Sequence, residues 1–317
     1  MKSNSKPPRL REGATVAVIA PSSYPDYPHF NLYGGLEYIR SLGYRVVLGD
    51  TLKHALMNGL TSAPPQERAK EVNWAFTDKS VDAIICARGG VGSLELLRLL
   101  DYEGIASNPK PFVGYSDTTS IQNAVLSLCG LPTIQGPMAA VGFAGDSDIE
   151  RTKGYWATLI SVLRGETPTL GGWRGGPQPL TLKGGVGRGR LVGGNIILYT
   201  LIAGSRFDPL TKGDILFLED IKEEAWRISN HLASLDARGT LDELGGVLIG
   251  EFPREDGNPQ PMRPEEQLRG VFSGKHYPSF INYPCCHGYG REPVPLGIRV
   301  EMDAYNYTVS LLEPFAE

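Results

Sequence analysis

The stretch "KPFVGYSDTTSIQNAVLSLCG", Lys110–Gly130, decides the fold class. A short apolar run breaks at Tyr115-Ser116-Asp117, and a helical pattern begins directly after it. Working outward, the same strand-to-helix unit recurs. "TVAVIAP" (Thr15–Pro21) is a continuous apolar run rich in β-branched residues, as a buried parallel strand requires. "NLYGGLEYIRSLG" then places Leu32, Leu36, Ile39 and Leu42 at helical spacing, with Gly43 where a C-terminal cap belongs. "YRVVLGD" reads as the next strand, and "PPQERAKEVNWAFTD" as a helix entered through prolines. "VDAIICARGG" is a strand running into glycines, followed by "SLELLRLLD" as a helix. Alternation over the first ~150 residues predicts a parallel sheet covered by helices on both faces. Ligands collect at the carboxyl ends of such strands. Pro21-Ser22-Ser23, Arg88-Gly89-Gly90 and Tyr115-Ser116-Asp117 are therefore expected on one rim.

The pattern changes after Arg164. "GETPTLGGWRGGPQPLTLKGGVGRG" holds nine glycines and three prolines in 25 residues and no helical period, so it reads as a crossing between domains plus turns. Beyond it, "GDILFLEDI" and "LGGVLIGEF" read as buried strands. "EEAWRISNHLASLDARG" puts Ala225, Ile228, Leu232 and Leu235 on one helix face, and "VPLGIRVEMDAYNYTVSLLE" alternates like a strand pair. The expected division is a first domain over 1–163, a linker over 164–182 and a mixed α/β second domain over 183–317.

A chain of 317 residues is long enough for about two domains. Its 31 Lys+Arg against 35 Asp+Glu argue against nucleic acid as a partner, since that footprint needs a clustered basic excess. The four cysteines, with Cys285 and Cys286 adjacent, make no disulfide framework, which points to a reducing compartment. The first apolar run, "ATVAVIA", is too short to cross a membrane and lacks the pattern of a signal peptide. It reads as the opening strand of a cytoplasmic protein with no membrane partner.

Several residues carry candidate chemistry. Ser116 has two readings: an N-cap for the following helix, or a nucleophile on a sharp strand-to-helix turn permitted by Gly114. The G-x-S-x-G pattern of such turns fails, because the fifth residue is Thr118. Arg88-Gly89-Gly90-Val91-Gly92 lacks the dinucleotide fingerprint, with Glu95 where the last glycine belongs, and no phosphate-binding P-loop motif occurs either. What survives is a bare loop able to donate amides to an oxyanion, or a simple turn. Glu219 ends a buried strand, where it pairs with an arginine or orients a histidine. His287, followed by Gly288, sits in a turn free to point into a cleft, whereas His29, His54 and His276 lie in loop-like or polar contexts and His231 flanks an apolar stripe. Vicinal cysteines lack C-x-x-C spacing, so no metal site is expected. S-x-x-K occurs only as Ser3-Asn4-Ser5-Lys6, in the N-terminal tail.

Taken together, "VAVIAPSS", "ARGGVGS", "VGYSDTT", "LVGGN", "LFLEDI" and "HG" followed by "PLG" resemble, in order and spacing, the L,D-carboxypeptidase family of serine peptidases. The resemblance implies a Rossmann-like N-terminal domain carrying a serine and a smaller β-rich C-terminal domain carrying a glutamate and a histidine, with the active site between them. Carried onto this chain, the triad is Ser116, Glu219 and His287, and the oxyanion hole is the amides of Gly90 and Asp117. Val91 stands where the family usually has Tyr, and Cys285 and Cys286 where it has small residues, so these positions bear on substrate preference. The implied activity needs no cofactor and no metal: release of the terminal D-alanine from murein-derived tetrapeptides during wall recycling. Arg88 is the nearest cation for a terminal carboxylate, although a structural ion pair serves it equally. Family analogy also implies a homodimer. Two alternatives are a cousin that cleaves peptidyl-nucleotides, with Trp173 as a platform for the base, and a ligand-binding protein without catalysis.

Overall fold

The computed structural model describes residues 5–26, 30–53, 60–143, 146–172, 175–253 and 264–317. In its first half, β1 (Thr15–Ile19), α1 (Leu32–Ser41), β2 (Arg45–Leu48), α2 (Asp50–Lys53), α3 (Pro65–Thr77), β3 (Ala83–Cys86), α4 (Tyr102–Ser107), β4 (Phe112–Gly114), α5 (Thr119–Cys129), β5 (Thr133–Gln135) and α6 (Asp146–Leu163) follow in order. The five strands pair in parallel in the sheet order β5-β4-β3-β1-β2. All five residues of β1 are buried, which is why its sequence is an unbroken apolar run. At α1, Asn31 accepts a hydrogen bond from the Gly34 amide at 2.9 Å, and Gly43 takes a φ of 91° just past the end.

"SLELLRLLD" departs from expectation. It forms a 3₁₀ turn at Ser93–Leu96 and then further i→i+3 bonds, such as Leu99 N to Leu96 O at 2.7 Å. The buried residues Leu96, Leu97 and Leu100 all face inward there, which an exposed amphipathic helix does not achieve.

The second half builds an eight-stranded sheet from β6 (Thr169–Gly171), β7 (Leu180–Lys183), β8 (Val186–Asn195), β9 (Ile215–Glu219), β10 (Gly246–Gly250) and β11 (Ser279–Tyr283), closed by a later hairpin. β12 (Val294–Leu296) comes next in the chain, and the hairpin is β13 (Arg299–Asp303) with β14 (Thr308–Leu311). Strands β8, β9, β10 and β11 are parallel, with the antiparallel β7 at one edge and β13-β14-β6 at the other. Among the described residues, the helices of this half are α7 (Ile196–Ile202), α8 (Ala225–Ala237) and α9 (Pro264–Phe272). The buried face of α8 is Ala225, Ile228, Leu232 and Leu235, the set its sequence spacing predicts.

Two details correct the expected division of the chain. Residues 164–182, read as a linker, contain β6, which pairs with β14, and the start of β7. β12, within the segment read as the second domain, instead pairs antiparallel with β5 and extends the first sheet. Two glycines of this region, Gly187 and Gly189 on β8, serve close approach rather than turns. A Cβ on Gly187 would lie 2.4 Å from the Gly245 carbonyl oxygen, and one on Gly189 2.3 Å from that of Gly213. No helix among the described residues is long and apolar enough to cross a membrane.

Candidate active site

The three loops at the carboxyl ends of β1, β3 and β4 are laced together as the sheet topology requires. Ser22 Oγ donates to Asp117 Oδ2 at 2.6 Å, and the Ser93 amide donates to the same oxygen at 2.9 Å. Ser93 Oγ donates to the Asp117 carbonyl. The Ser23 amide donates to the Gly89 carbonyl at 3.3 Å, and Ser23 Oγ accepts from the Val91 amide at 3.2 Å. Pro21-Ser22-Ser23, Arg88-Gly89-Gly90 and Tyr115-Ser116-Asp117 thus share one rim.

Ser116 stands at the tip of this rim. Tyr115 before it is extended, and Ser116 itself has a φ of 67°, after which a 3₁₀ turn at Ser116–Thr118 leads into α5. A non-glycine residue at positive φ costs about 1–3 kcal/mol and persists only where surrounding contacts impose it. Neither the 3₁₀ turn nor α5 receives a side-chain cap, so the hydroxyl does not do a helix cap's work. Gly114 makes the turn possible: a Cβ there would sit 2.8 Å from Thr118 Oγ1 and 3.0 Å from Cys86 Sγ. The Gly89 loop presses on the serine, since a Cβ at that glycine would come within 2.7 Å of the Ser116 Cβ. Among the described residues, no hydrogen bond engages the Ser116 hydroxyl or the amides of Gly90 and Asp117. Free amides beside a positioned hydroxyl are the parts an oxyanion needs.

Gly90 is irreplaceable on two counts. Its φ is 122°, and a Cβ would fall 2.1 Å from Ser23 Oγ. Gly90→Ala is expected to turn the loop and lower turnover by about 10²–10³, the loss typical of one oxyanion donor. Steady-state kinetics, with circular dichroism to verify folding, measures it.

On the other sheet, the Glu219 carboxylate ends β9 fully buried, and its Oε2 lies 2.6 Å from His287 Nδ1. The other oxygen, Oε1, has no hydrogen-bond partner among the described residues. Burial disfavours a charged imidazole at His287, but attraction and hydrogen bonding to Glu219 outweigh it, and the pKa rises above its ordinary value. The His287 ring meets the Tyr115 ring edge-on, with centroids 5.1 Å apart and planes at 81°. Tyr115 adjoins Ser116, so this ring contact sets the His287–Glu219 pair of the second sheet against the segment of the first that carries the serine. Cys285 and Cys286 are free thiols buried beside His287, and burial pushes the Cys286 thiol well up, so neither is poised as a nucleophile.

The two expected substrate contacts fare differently. Arg88 Nη1 pairs with Asp26 Oδ1 at 3.1 Å, and the guanidinium lies 3.9 Å over the Phe30 ring, so this cation is engaged structurally. Trp173 lies outside the described residues, as do His29 and His54. Lys6 of the N-terminal S-x-x-K is bound to Glu317 at 2.8 Å and Glu313 at 3.1 Å, away from the rim.

Other residues at the site carried no role in the sequence reading. Burial pushes the pKa of the Tyr115 hydroxyl up to about 12, against the lowering influence of the nearby Arg291 charge. Asp220, directly after Glu219, accepts from Asn195 Nδ2 at 2.8 Å, while burial and then the neighbouring Glu219 charge push its pKa up to about 7. The signals were the "LVGGN" and "LFLEDI" stretches, where polar residues end apolar strands.

Comparison with known proteins identifies the family. Residues 16–136 match the family model for the LD-carboxypeptidase N-terminal domain, and residues 188–302 match that for its C-terminal domain. A Bacillus subtilis protein named as a probable murein peptide carboxypeptidase is 35% identical, covering 84% of this chain and 79% of its own. Muramoyltetrapeptide carboxypeptidase from Oxalobacter formigenes superposes with a TM-score of 0.78 at 25% identity, over 94% of this chain and 98% of that one. The microcin C7 self-immunity protein MccF, in complex with aspartyl sulfamoyl adenosine, shares the fold at a TM-score of 0.88 and 24% identity, over 99% of this chain and 100% of that one.

Proposed function

Because the chain belongs to the LD-carboxypeptidase family, we propose that it is a serine carboxypeptidase that removes the terminal D-alanine from murein-derived tetrapeptides. The supporting observation is the 2.6 Å His287–Glu219 pair packed against Tyr115, the residue before a serine held at positive φ. In this reading Ser116 Oγ attacks the carbonyl carbon of the L,D-peptide bond while His287 Nε2 takes its proton. Glu219 holds Nδ1–H and stabilises the imidazolium as it forms. The amides of Gly90 and Asp117 receive the developing oxyanion. Collapse breaks the C–N bond, His287 returns its proton to the departing D-alanine nitrogen, and an acyl ester remains on Ser116. Water, deprotonated by His287, then releases the shortened peptide and restores the serine. Recycling of turned-over wall peptides is a cytoplasmic task, and the reading includes a cytoplasmic homodimer.

A second reading follows from MccF, whose complex carries an aspartyl sulfamoyl nucleoside. It has the same chemistry act on a peptidyl-nucleotide. Incubating the protein with muramyl tetrapeptide and, separately, with a peptidyl-adenylate, and following products by mass, tests both. Loss of one alanine from the tetrapeptide supports the murein reading. Cleavage of the adenylate alone overturns it in favour of the cousin, and no cleavage of either overturns both.

The pH profile has a stated sign. His287 must be neutral to accept the serine proton, and its pKa is raised, so kcat/KM is expected to climb with pH through a midpoint above 6.5. A midpoint at or below that value, read from a pH series, contradicts the pairing with Glu219.

A further inference from the structure

Thr119 lies three residues after Ser116, in the first turn of α5, and is fully buried. Its hydroxyl oxygen accepts from Gln135 Nε2 at 2.9 Å and from the Asn195 amide at 3.1 Å. Asn195 ends β8, and its side-chain amide donates to Asp220 Oδ1 at 2.8 Å. Asp220 directly follows Glu219. Gln135 ends β5, and its Oε1 faces the Cys286 thiol at 3.6 Å. Cys286 directly precedes His287. One buried chain of polar contacts therefore runs between residues within three positions of Ser116, Glu219 and His287, and it crosses from the first sheet to the second. A glycine makes room for it: a Cβ on Gly194 would sit 2.2 Å from Gln135 Nε2 and 2.7 Å from Thr119 Oγ1.

We propose that Thr119, Gln135, Asn195 and Asp220 are positioning residues that set the mutual placement of Ser116, Glu219 and His287, with the Thr119 hydroxyl as the hub. The inference rests on the reading of those three as the reacting groups. None of the four touches the substrate bond in this scheme. They act because each is buried and hydrogen-bonded, so a displacement at one end has no solvent to absorb it and is passed along the chain. The linked residues come from five different stretches of backbone, which nothing local in sequence could hold in register.

The hub oxygen is the place to test it. Thr119→Val keeps shape and branching but removes the acceptor shared by Gln135 and Asn195. It is expected to lower kcat about 10- to 100-fold, the range a sub-ångström to one-ångström misplacement costs. KM is expected to stay within about threefold, because binding contacts are untouched. Phosphonate labelling of Ser116 slows by the same factor, and Thr119→Ser restores both. Gln135→Met, which cuts the branch to Cys286, serves as a second variant should Thr119→Val fail to fold by circular dichroism. In the double variant the losses fall short of additive, as members of one network require. Ser116→Ala is measured alongside. If it retains more than about a tenth of parental turnover, the reading of the site itself falls. If its turnover collapses while folded Thr119→Val or Gln135→Met turns over within about twofold of the parent, or Thr119→Ser loses as much as Thr119→Val, only the positioning network is overturned.

Discussion

Ser116→Ala is expected to lower turnover of the tetrapeptide by about 10⁶-fold, the loss seen when a hydrolase triad is stripped of its nucleophile. The variant keeps the backbone problem intact, since alanine meets the same strain at φ 67° that serine does. Stability should therefore stay close to that of the parent while chemistry disappears. Two measurements separate these outcomes. Single-turnover assays read the missing acyl-enzyme, and a serine-reactive phosphonate followed by intact mass reads the missing adduct. Equal labelling of parent and variant would sink the assignment, because some other hydroxyl would then be the reactive one. Residual turnover above the uncatalysed rate is still expected, because free amides at Gly90 and Asp117 go on stabilising negative charge without a covalent step.

Glu219→Gln should cost about 10⁴-fold in kcat, as loss of the orienting carboxylate does in related triads. The physical cause is specific to this site. With its charge gone, burial, the largest influence on His287, acts together with the Arg291 charge to lower the imidazole pKa, and only Asp220 still opposes them, so the pKa falls. The amide also offers Nδ1 either a carbonyl or an NH₂ group, so the tautomer with its lone pair toward Ser116 is no longer enforced. Either orientation leaves the second amide atom where Oε1 already lacks a partner, so the fold gains no new unsatisfied site. Relief of repulsion with Asp220 works in the stabilising direction. The combination expected is a thermal midpoint near that of the parent, lost turnover and a downshifted His287 titration by NMR. A variant keeping more than about a tenth of parental kcat would refute the orienting role.

How much of this was legible beforehand depends on whether a residue's job is local. Strand β1 and helices α1, α3 and α8 could be read because their burial follows the period of their own sequence. Ser116 was half legible. The strand-to-helix break located it, but the same residues spell a cap, and only the positive φ with no cap hydrogen bond separates the two. Glu219 and His287 are 68 residues apart, and nothing in spacing pairs them; their assignment came from resemblance to a family. The glycine-rich region defeated composition altogether. Some of its glycines sit at positive φ, but Gly187 and Gly189 lie in a strand whose neighbouring backbones come too close for any side chain, a demand that is invisible until those neighbours are known. The Thr119 network was hidden for the same reason, since each member looks like an ordinary cap or strand-end residue within its own segment.

The stitch between β12 and β5 has a bearing on how a peptide gets in. Seven residues past His287, Val294 is already hydrogen-bonded into the strand register of the half that bears Ser116. Because β12 ties the His287 segment to the half that bears Ser116, a clamshell swing of the halves pulls against the 2.6 Å contact between His287 and Glu219. In the proposed reading, breathing of the mouth therefore falls to the rim segments.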